Sequence, residues 1–268
     1  MNPVTRPKFQ YEKTYHKGYD ANIFIISTSH GFILKKVFND KKPIKDKYQS
    51  PKILFQKEVE GIRLLDSLSV TQVMTPKILQ LDYENLWYTQ KYFKLVPFLK
   101  YLVTNSNPLY TNPEIYQYFY QLGVFLAKFH NKYKRLHGDL NRKNILFGDR
   151  YIFICDPSSY KHRLEEKYSF DLFRTINNLY SYNIFARLFI SNKDRIVSYF
   201  LKGYTSVSHT KINSQHFKKD ILRYLKFDLN PVKSKNLNSL LKHMVIEALN
   251  RHLSKQIELN QLKWIDEI

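Results

Sequence analysis

The sequence predicts an α+β protein, and three observations carry that reading. Apolar, β-rich runs fill the N-terminal third: Ala21 to Ser27 (ANIFIIS), Gly31 to Phe38 (GFILKKVF) and Leu86 to Phe93 (LWYTQKYF), each bounded by polar or turn-forming residues. Helical periodicity dominates after Asn112, where apolar residues recur at spacings of three and four. Between the two lies a segment of mixed character, His137 to Tyr160, reading HGDLNRKNILFGDRYIFICDPSSY.

Composition narrows the class before any motif does. A chain of 268 residues is long enough to bury a full core, and 21 Tyr with 19 Phe exclude a disordered one. A single cysteine, Cys155, excludes an internal disulfide and a multi-cysteine zinc site. The opening residues MNPVTRPKFQYEK carry no apolar signal-like stretch, and no apolar run approaches the roughly 20 residues of a membrane span. A cytoplasmic protein is the expectation. The net charge of +20 (43 basic minus 23 acidic residues) favours anionic partners: nucleotide, phosphorylated glycan or an anionic membrane surface. A compositional bias toward Lys, Asn, Ile and Tyr explains the same charge.

The elements follow in order. Thr28-Ser29-His30 is a turn-like link between the strands at 21–27 and 31–38. Lys35 and Lys36 sit in mid-strand, where a buried ammonium is costly unless it meets an anion. Adjacent strand residues face opposite sides, so only one of the two can reach such an anion. A basic loop with Lys41, Lys42, Lys45 and Lys47 leads to a helix from about Pro51 to Leu68, with Phe55, Ile62 and Leu65 on its apolar face. Glu58 lies four residues before Ile62; Glu60 is about 200° further round at ~100° per residue. Pro76-Lys77-Ile78-Leu79 reads as a strand entry, and Val96 to Asn107 as a crossing segment. Asn112-Pro113-Glu114 is a strong helix start. Ile115, Phe119, Leu122, Leu126 and Phe129 continue it as one stripe, and His130 near its end reads as a helix-terminus histidine. Further helical patterns cover Phe170 to Asn192, Arg195 to Tyr204, Asn213 to Phe227 and Asn236 to Leu259. The last two are studded with Lys218, Lys219, Arg223, Lys226, Lys233, Lys235, Lys242 and Arg251.

The central segment carries the chemistry. Asn144-Ile145-Leu146-Phe147 and Tyr151 to Cys155 are short apolar runs joined by Gly148-Asp149-Arg150, which is hairpin chemistry. Such a hairpin sets Asn144 and Asp156 at neighbouring strand ends. Two carboxylates and a carboxamide in the order Asp139, Asn144, Asp156 suit phosphoryl transfer from a metal-bound nucleotide. One Asp orients the acceptor hydroxyl and takes its proton, while the Asn and the second Asp hold Mg2+ on the phosphates.

With those residues in view, the segment resembles the core of the protein-kinase-like superfamily, His-Arg-Asp-x4-Asn followed by Asp-Phe-Gly. Gly138 in place of the Arg, and Asp156-Pro157 in place of Asp-Phe-Gly, bring it nearer the small-molecule branch. That branch holds aminoglycoside, choline and ketosamine kinases and the lipopolysaccharide-core sugar kinases of the Kdo kinase type. The resemblance implies a two-lobed fold, with a small antiparallel-sheet lobe at 1–95 and a mostly helical lobe at 96–268. It implies Asp139 as catalytic base and Asn144 and Asp156 as Mg2+ ligands. It favours Lys36 over Lys35 as the phosphate-binding lysine, and Glu58 or Glu60 as its partner. Gly18 is the only glycine near the first strand, so HKGYDANIFII would be a reduced phosphate-covering loop. Asp171 resembles the helix-start Asp that braces the catalytic loop, and His162-Arg163 after Tyr160 partly resembles ketosamine kinases. The function so implied is ATP- and Mg2+-dependent phosphorylation of a hydroxyl on a sugar or glycolipid, foremost a lipopolysaccharide-core sugar; the alternatives are an aminoglycoside, choline or ketosamine kinase, then a protein kinase or a pseudokinase acting as a binding module. Nucleic acid is not an expected partner, and peripheral contact with the inner face of the cell membrane is.

Overall fold

The computed structural model describes residues 11–17, 21–38, 50–107, 110–157, 168–180, 192–207, 212–228, 251 and 253–257. Its elements in chain order begin with β1 (Tyr11–Lys17), β2 (Ala21–Thr28), β3 (Gly31–Phe38) and α1 (Pro51–Asp66). β4 (Val73–Met74), β5 (Ile78–Asp82), β6 (Trp87–Lys91), β7 (Val96–Pro97), α2 (Phe98–Asn105), β8 (Ser106–Asn107) and β9 (Tyr110–Thr111) come next. α3 (Glu114–Tyr133), β10 (Ile145–Phe147), β11 (Ile152–Ile154), α4 (Ser169–Tyr180), α5 (Lys193–Val207) and α6 (Ser214–Asp228) complete them. Several sequence expectations lie outside the described residues: the Gly18 loop, the basic loop at 39–49, the stretch with Tyr160, His162 and Arg163, and Lys233, Lys235 and Lys242.

Two compact units divide these elements. Unit 1 takes Met1–Ser67, Thr75–Lys94 and Asp156–Ser159; unit 2 takes Leu68–Met74, Leu95–Cys155 and Tyr160–Ile268. The division is therefore not one cut near residue 95. β4 pairs in parallel with β11 and so joins unit 2, while the residues from Asp156 join unit 1.

Unit 1 is a five-stranded antiparallel sheet in the order β1-β2-β3-β6-β5, with one helix. Thr28 closes the β2–β3 turn by accepting from the His30 amide and donating to the Gly31 carbonyl; Gly31, at φ 108°, takes the backbone shape that a side chain would resist. Ser50 caps α1 by accepting from the Ile53 amide at 3.3 Å, satisfying one of the orphan N–H groups of the first turn. Leu54, Phe55, Val59 and Ile62 on α1 pack with Ala21, Phe38, Leu86 and Tyr88 of the sheet. That core face fixes the rotation of α1, and Glu58, lying between Phe55 and Ile62, is carried to the same side.

Unit 2 is mostly helical. The stripe read from the sequence is its spine: Ile115, Phe119, Leu122, Leu126 and Phe129 of α3 are all buried. Asn112 accepts from the Glu114 amide at 3.0 Å, but the N-cap position of α3 falls to Pro113, one residue later than predicted, with no side-chain cap bond. α3 and α5 run side by side in the same direction, Tyr116 meeting Tyr199 at one end and Asn131 donating to the Val207 carbonyl at the other. Between these ends the backbones touch: a Cβ on Gly123 would lie 2.0 Å from the Phe200 carbonyl oxygen, and one on Gly203 2.0 Å from that of Tyr120. The expected crossing segment at 96–107 contains a helix, α2, whose Phe98 and Tyr101 pack on Phe147, the latter ring stacked at 4.0 Å. β10 and β11 form the expected hairpin, paired from Ile145↔Ile154 to Phe147↔Ile152. An antiparallel sheet bearing one long helix, and a helical unit carrying this hairpin, make the chain an α+β fold.

Candidate active site

In unit 1 the strand register decides between the two lysines. Lys36 stands opposite Tyr88 on β6 and Lys35 opposite Thr89, so the two point to opposite faces of the sheet. Lys36 faces α1, and its Nζ donates to Glu58 Oε1 at 2.7 Å, Glu58 Oε2 at 2.8 Å and Asp156 Oδ1 at 2.8 Å. Lys35 Nζ lies 4.8 Å over the Trp87 ring instead. Glu58 is buried and Glu60 exposed, so the helical face that carries Phe55 and Ile62 brings Glu58, and not Glu60, to the lysine. Tyr88, which the sequence does not distinguish from core, donates its hydroxyl to Glu58 Oε1 at 2.6 Å.

Asp156 reaches Lys36 from a left-handed backbone, φ 56°, a conformation Asp tolerates better than most residues. Pro157 follows and packs on α1: a Cβ on Gly61, one turn after Glu58, would lie 2.6 Å from Pro157 Cγ. Pro157 thus presses against the same helix that carries the lysine's partner. Burial favours an uncharged Lys36, but the charges of Asp156 and Glu58 outweigh it and raise its pKa well above the ordinary lysine value. Burial pushes the Glu58 carboxyl up to about 7, against the pull of Lys36.

In unit 2 a buried aspartate organises the loop that follows α3. The helix ends at Tyr133, with Lys134 in the left-handed cap conformation donating to the His130 carbonyl. Asp171, in the first turn of α4, then accepts from the His137 amide at 2.6 Å and the Gly138 amide at 2.8 Å. Its Oδ2 also meets His130 Nε2 at 3.0 Å, and His130 Nδ1 lies 2.9 Å from the Tyr204 hydroxyl. A carboxylate only accepts, so Nε2 carries a proton. His130, in the last turn of α3, is therefore also a fully buried link between α3, α4 and α5. Burial disfavours a charged Asp171, yet His130 and the backbone donors hold its carboxyl below the usual range.

Asp139 comes next in this loop. Asn144 Nδ2 donates to the Asp139 carbonyl at 2.9 Å and to its Oδ2 at 3.0 Å. Arg174 approaches Asp139 Oδ1 at 3.3 Å, and Asn178 secures the loop by donating to the Leu140 carbonyl at 2.8 Å. The carbonyl of Asn144 accepts from the Cys155 amide at 3.0 Å, which places Asn144 opposite the residue before Asp156. Arg174 was not among the residues the sequence picked out. Its signal is the spacing of three from Asp171, which puts both on one side of α4.

Lys36, Glu58 and Asp156 are thus brought together in unit 1, and Asp139 with Asn144 in unit 2; Lys35 joins neither group. No known family model matches the sequence, and no curated protein matches it either. Solved structures similar to the chain include two of the PknI kinase domain of Mycobacterium tuberculosis. One is 11% identical, with a TM-score of 0.45 over 94% of this chain and 99% of that one. The other is 12% identical, with a TM-score of 0.44 over 63% and 71%.

Proposed function

We propose that the protein is an ATP- and Mg2+-dependent phosphotransferase that phosphorylates a hydroxyl group. The observation that carries this reading is the Lys36 ammonium held between Glu58 and Asp156 within 2.8 Å of each. An ammonium so oriented is suited to nucleotide phosphates, and with Glu58 ionised the trio keeps one excess negative charge. A divalent cation fits that charge, and the donor set fits Mg2+: Asp156 exposes 45% of its side chain, and Asn144 uses its Nδ2 on Asp139 while its carboxamide oxygen suits a hard cation. Asp156 and Asn144 would hold Mg2+, which supplies neutralisation of the phosphate charge.

Asp139 takes the catalytic base role in this reading. Its Oδ2 is oriented by Asn144 and its Oδ1 by Arg174, and it would accept the proton of the acceptor hydroxyl. Positioning and charge then account for most of the rate. The acceptor we favour is a hydroxyl of a sugar or glycolipid, foremost a lipopolysaccharide-core sugar, because the chain's net charge of +20 suits an anionic acceptor better than a cationic amine. Work at an anionic membrane face agrees with that charge; among the described residues no helix is long and apolar enough to cross a membrane.

The test is phosphate transfer from labelled ATP with Mg2+ to a panel of lipopolysaccharide-core acceptor, an aminoglycoside, a ketosamine and a generic protein. Label on the core sugar supports the whole reading. Label on protein alone keeps the phosphotransferase and overturns the acceptor. A chain that neither binds Mg-ATP nor transfers label overturns the function.

A further inference from the structure

The Lys36 cluster contains one group that the proposed chemistry does not use, the Tyr88 hydroxyl. The Tyr88 ring is core, packed with Phe38, Phe55 and Val59, and a phenylalanine would fill that space. A buried hydroxyl adds nothing to apolar packing and is costly unless bonded. Here it is bonded, at 2.6 Å, to Glu58 Oε1, the oxygen that also accepts from Lys36 at 2.7 Å.

The geometry sets a problem of exchange. An ammonium has three protons, and three carboxylate oxygens already lie within 2.8 Å of Lys36 Nζ: both of Glu58 and one of Asp156. A phosphate arriving at Lys36 must displace one of them. Glu58 is buried and held by a second donor from β6, whereas Asp156 exposes 45% of its side chain. We propose that Tyr88 is a positioning residue: its hydroxyl anchors Glu58, so that an incoming nucleotide phosphate replaces Asp156 on Lys36 and leaves Asp156 to the cation. This rests on the reading of Lys36 as the phosphate-binding lysine. Among the described residues, the titratable groups that act most on Glu58 are Lys36 of β3, Asp156 and Tyr88 of β6.

The experiment is equilibrium titration with a Mg2+-bound, non-hydrolysable ATP analogue. It compares wild type, Tyr88→Phe, Lys36→Ala, Glu58→Gln and the Tyr88→Phe/Glu58→Gln pair from about pH 7 to about pH 9. Tyr88→Phe keeps the ring and hence the core, and its melting temperature without nucleotide reports that. The expected result is an affinity loss of roughly ten-fold, the usual weight of a hydrogen bond to a charged group. That loss vanishes in the Glu58→Gln background, which a packing defect would not do. The ratio of wild-type to variant affinity is largest near neutral pH and shrinks as pH rises, because Glu58 without the phenol donor ionises less readily. If Lys36→Ala loses affinity and Tyr88→Phe does not, the inference is overturned and the function stands. An undiminished Tyr88→Phe loss in the Glu58→Gln background also overturns it. If wild type and Lys36→Ala both fail to bind, the phosphotransferase reading falls and the inference with it.

Discussion

The Lys36 cluster and the Asp139 loop are both organised by carboxylates, yet they are held by different means. Around Lys36 the contacts are between side chains: an ammonium, two carboxylates and a phenol. Around Asp139 the decisive contacts reach the main chain, with Asp171 taking the amides of His137 and Gly138, and Asn178 and Asn144 donating to the carbonyls of Leu140 and Asp139. Side-chain contacts can be exchanged by a ligand without moving the chain. Main-chain contacts fix a loop whatever is bound. The first region is suited to accept and release charge, and the second to keep one oxygen in one place.

Substitutions sharpen that contrast, beginning with the largest effect. Asp139→Asn keeps the loop and removes the proposed base, so label transfer should fall by roughly 10²–10⁴ with an unchanged melting temperature; equal turnover would break the proposed mechanism. Asp171→Ala should act on the scaffold, costing about 3–5 kcal/mol in denaturant unfolding, because His130 and two backbone amides lose a buried acceptor together. A loss below about 1 kcal/mol would mean that the loop is held by something else.

Glu58 gives an effect of intermediate size and of opposite sign in two assays. The folded state pushes its carboxyl from 4.5 up to about 7 by burial, so it holds a proton more tightly than the unfolded chain does. Its contribution to stability is full below about pH 4.5 and fades as pH rises through about 7. The bonds to Lys36 need the ionised form, so Mg-nucleotide affinity should climb through that same window. Glu58→Gln should flatten both profiles, measured as melting temperature and dissociation constant against pH. The smallest effect belongs to Arg174→Gln. That pair is about a quarter exposed on each side, so stability should change by under about 1 kcal/mol, with turnover down several-fold in the transfer assay.

How far these regions were legible in the sequence follows the reach of their contacts. The α3 stripe and the hairpin at 145–154 depend on neighbours in sequence, and periodicity and turn residues revealed them. Lys36 and Glu58 were approachable because strand parity and helical rotation leave few options; the sequence narrowed each to two residues and the core packing chose one. Tyr88 and His130 were not legible as site residues. Their partners lie 30 and 41 residues away, and a tyrosine in a strand or a histidine near a helix end looks the same with or without such a partner. α2 was missed because its eight residues span barely two turns, too few for a period to show.

The tight seam between α3 and α5 gives a scarce residue a purpose. The chain has seven glycines, and at Gly123 and Gly203 any side chain would strike the neighbouring helix's backbone at 2.0 Å. At those two positions the backbones themselves are the packing surface. Alanine at either one should separate the helices that His130 ties to Asp171, and so loosen the Asp139 loop from behind.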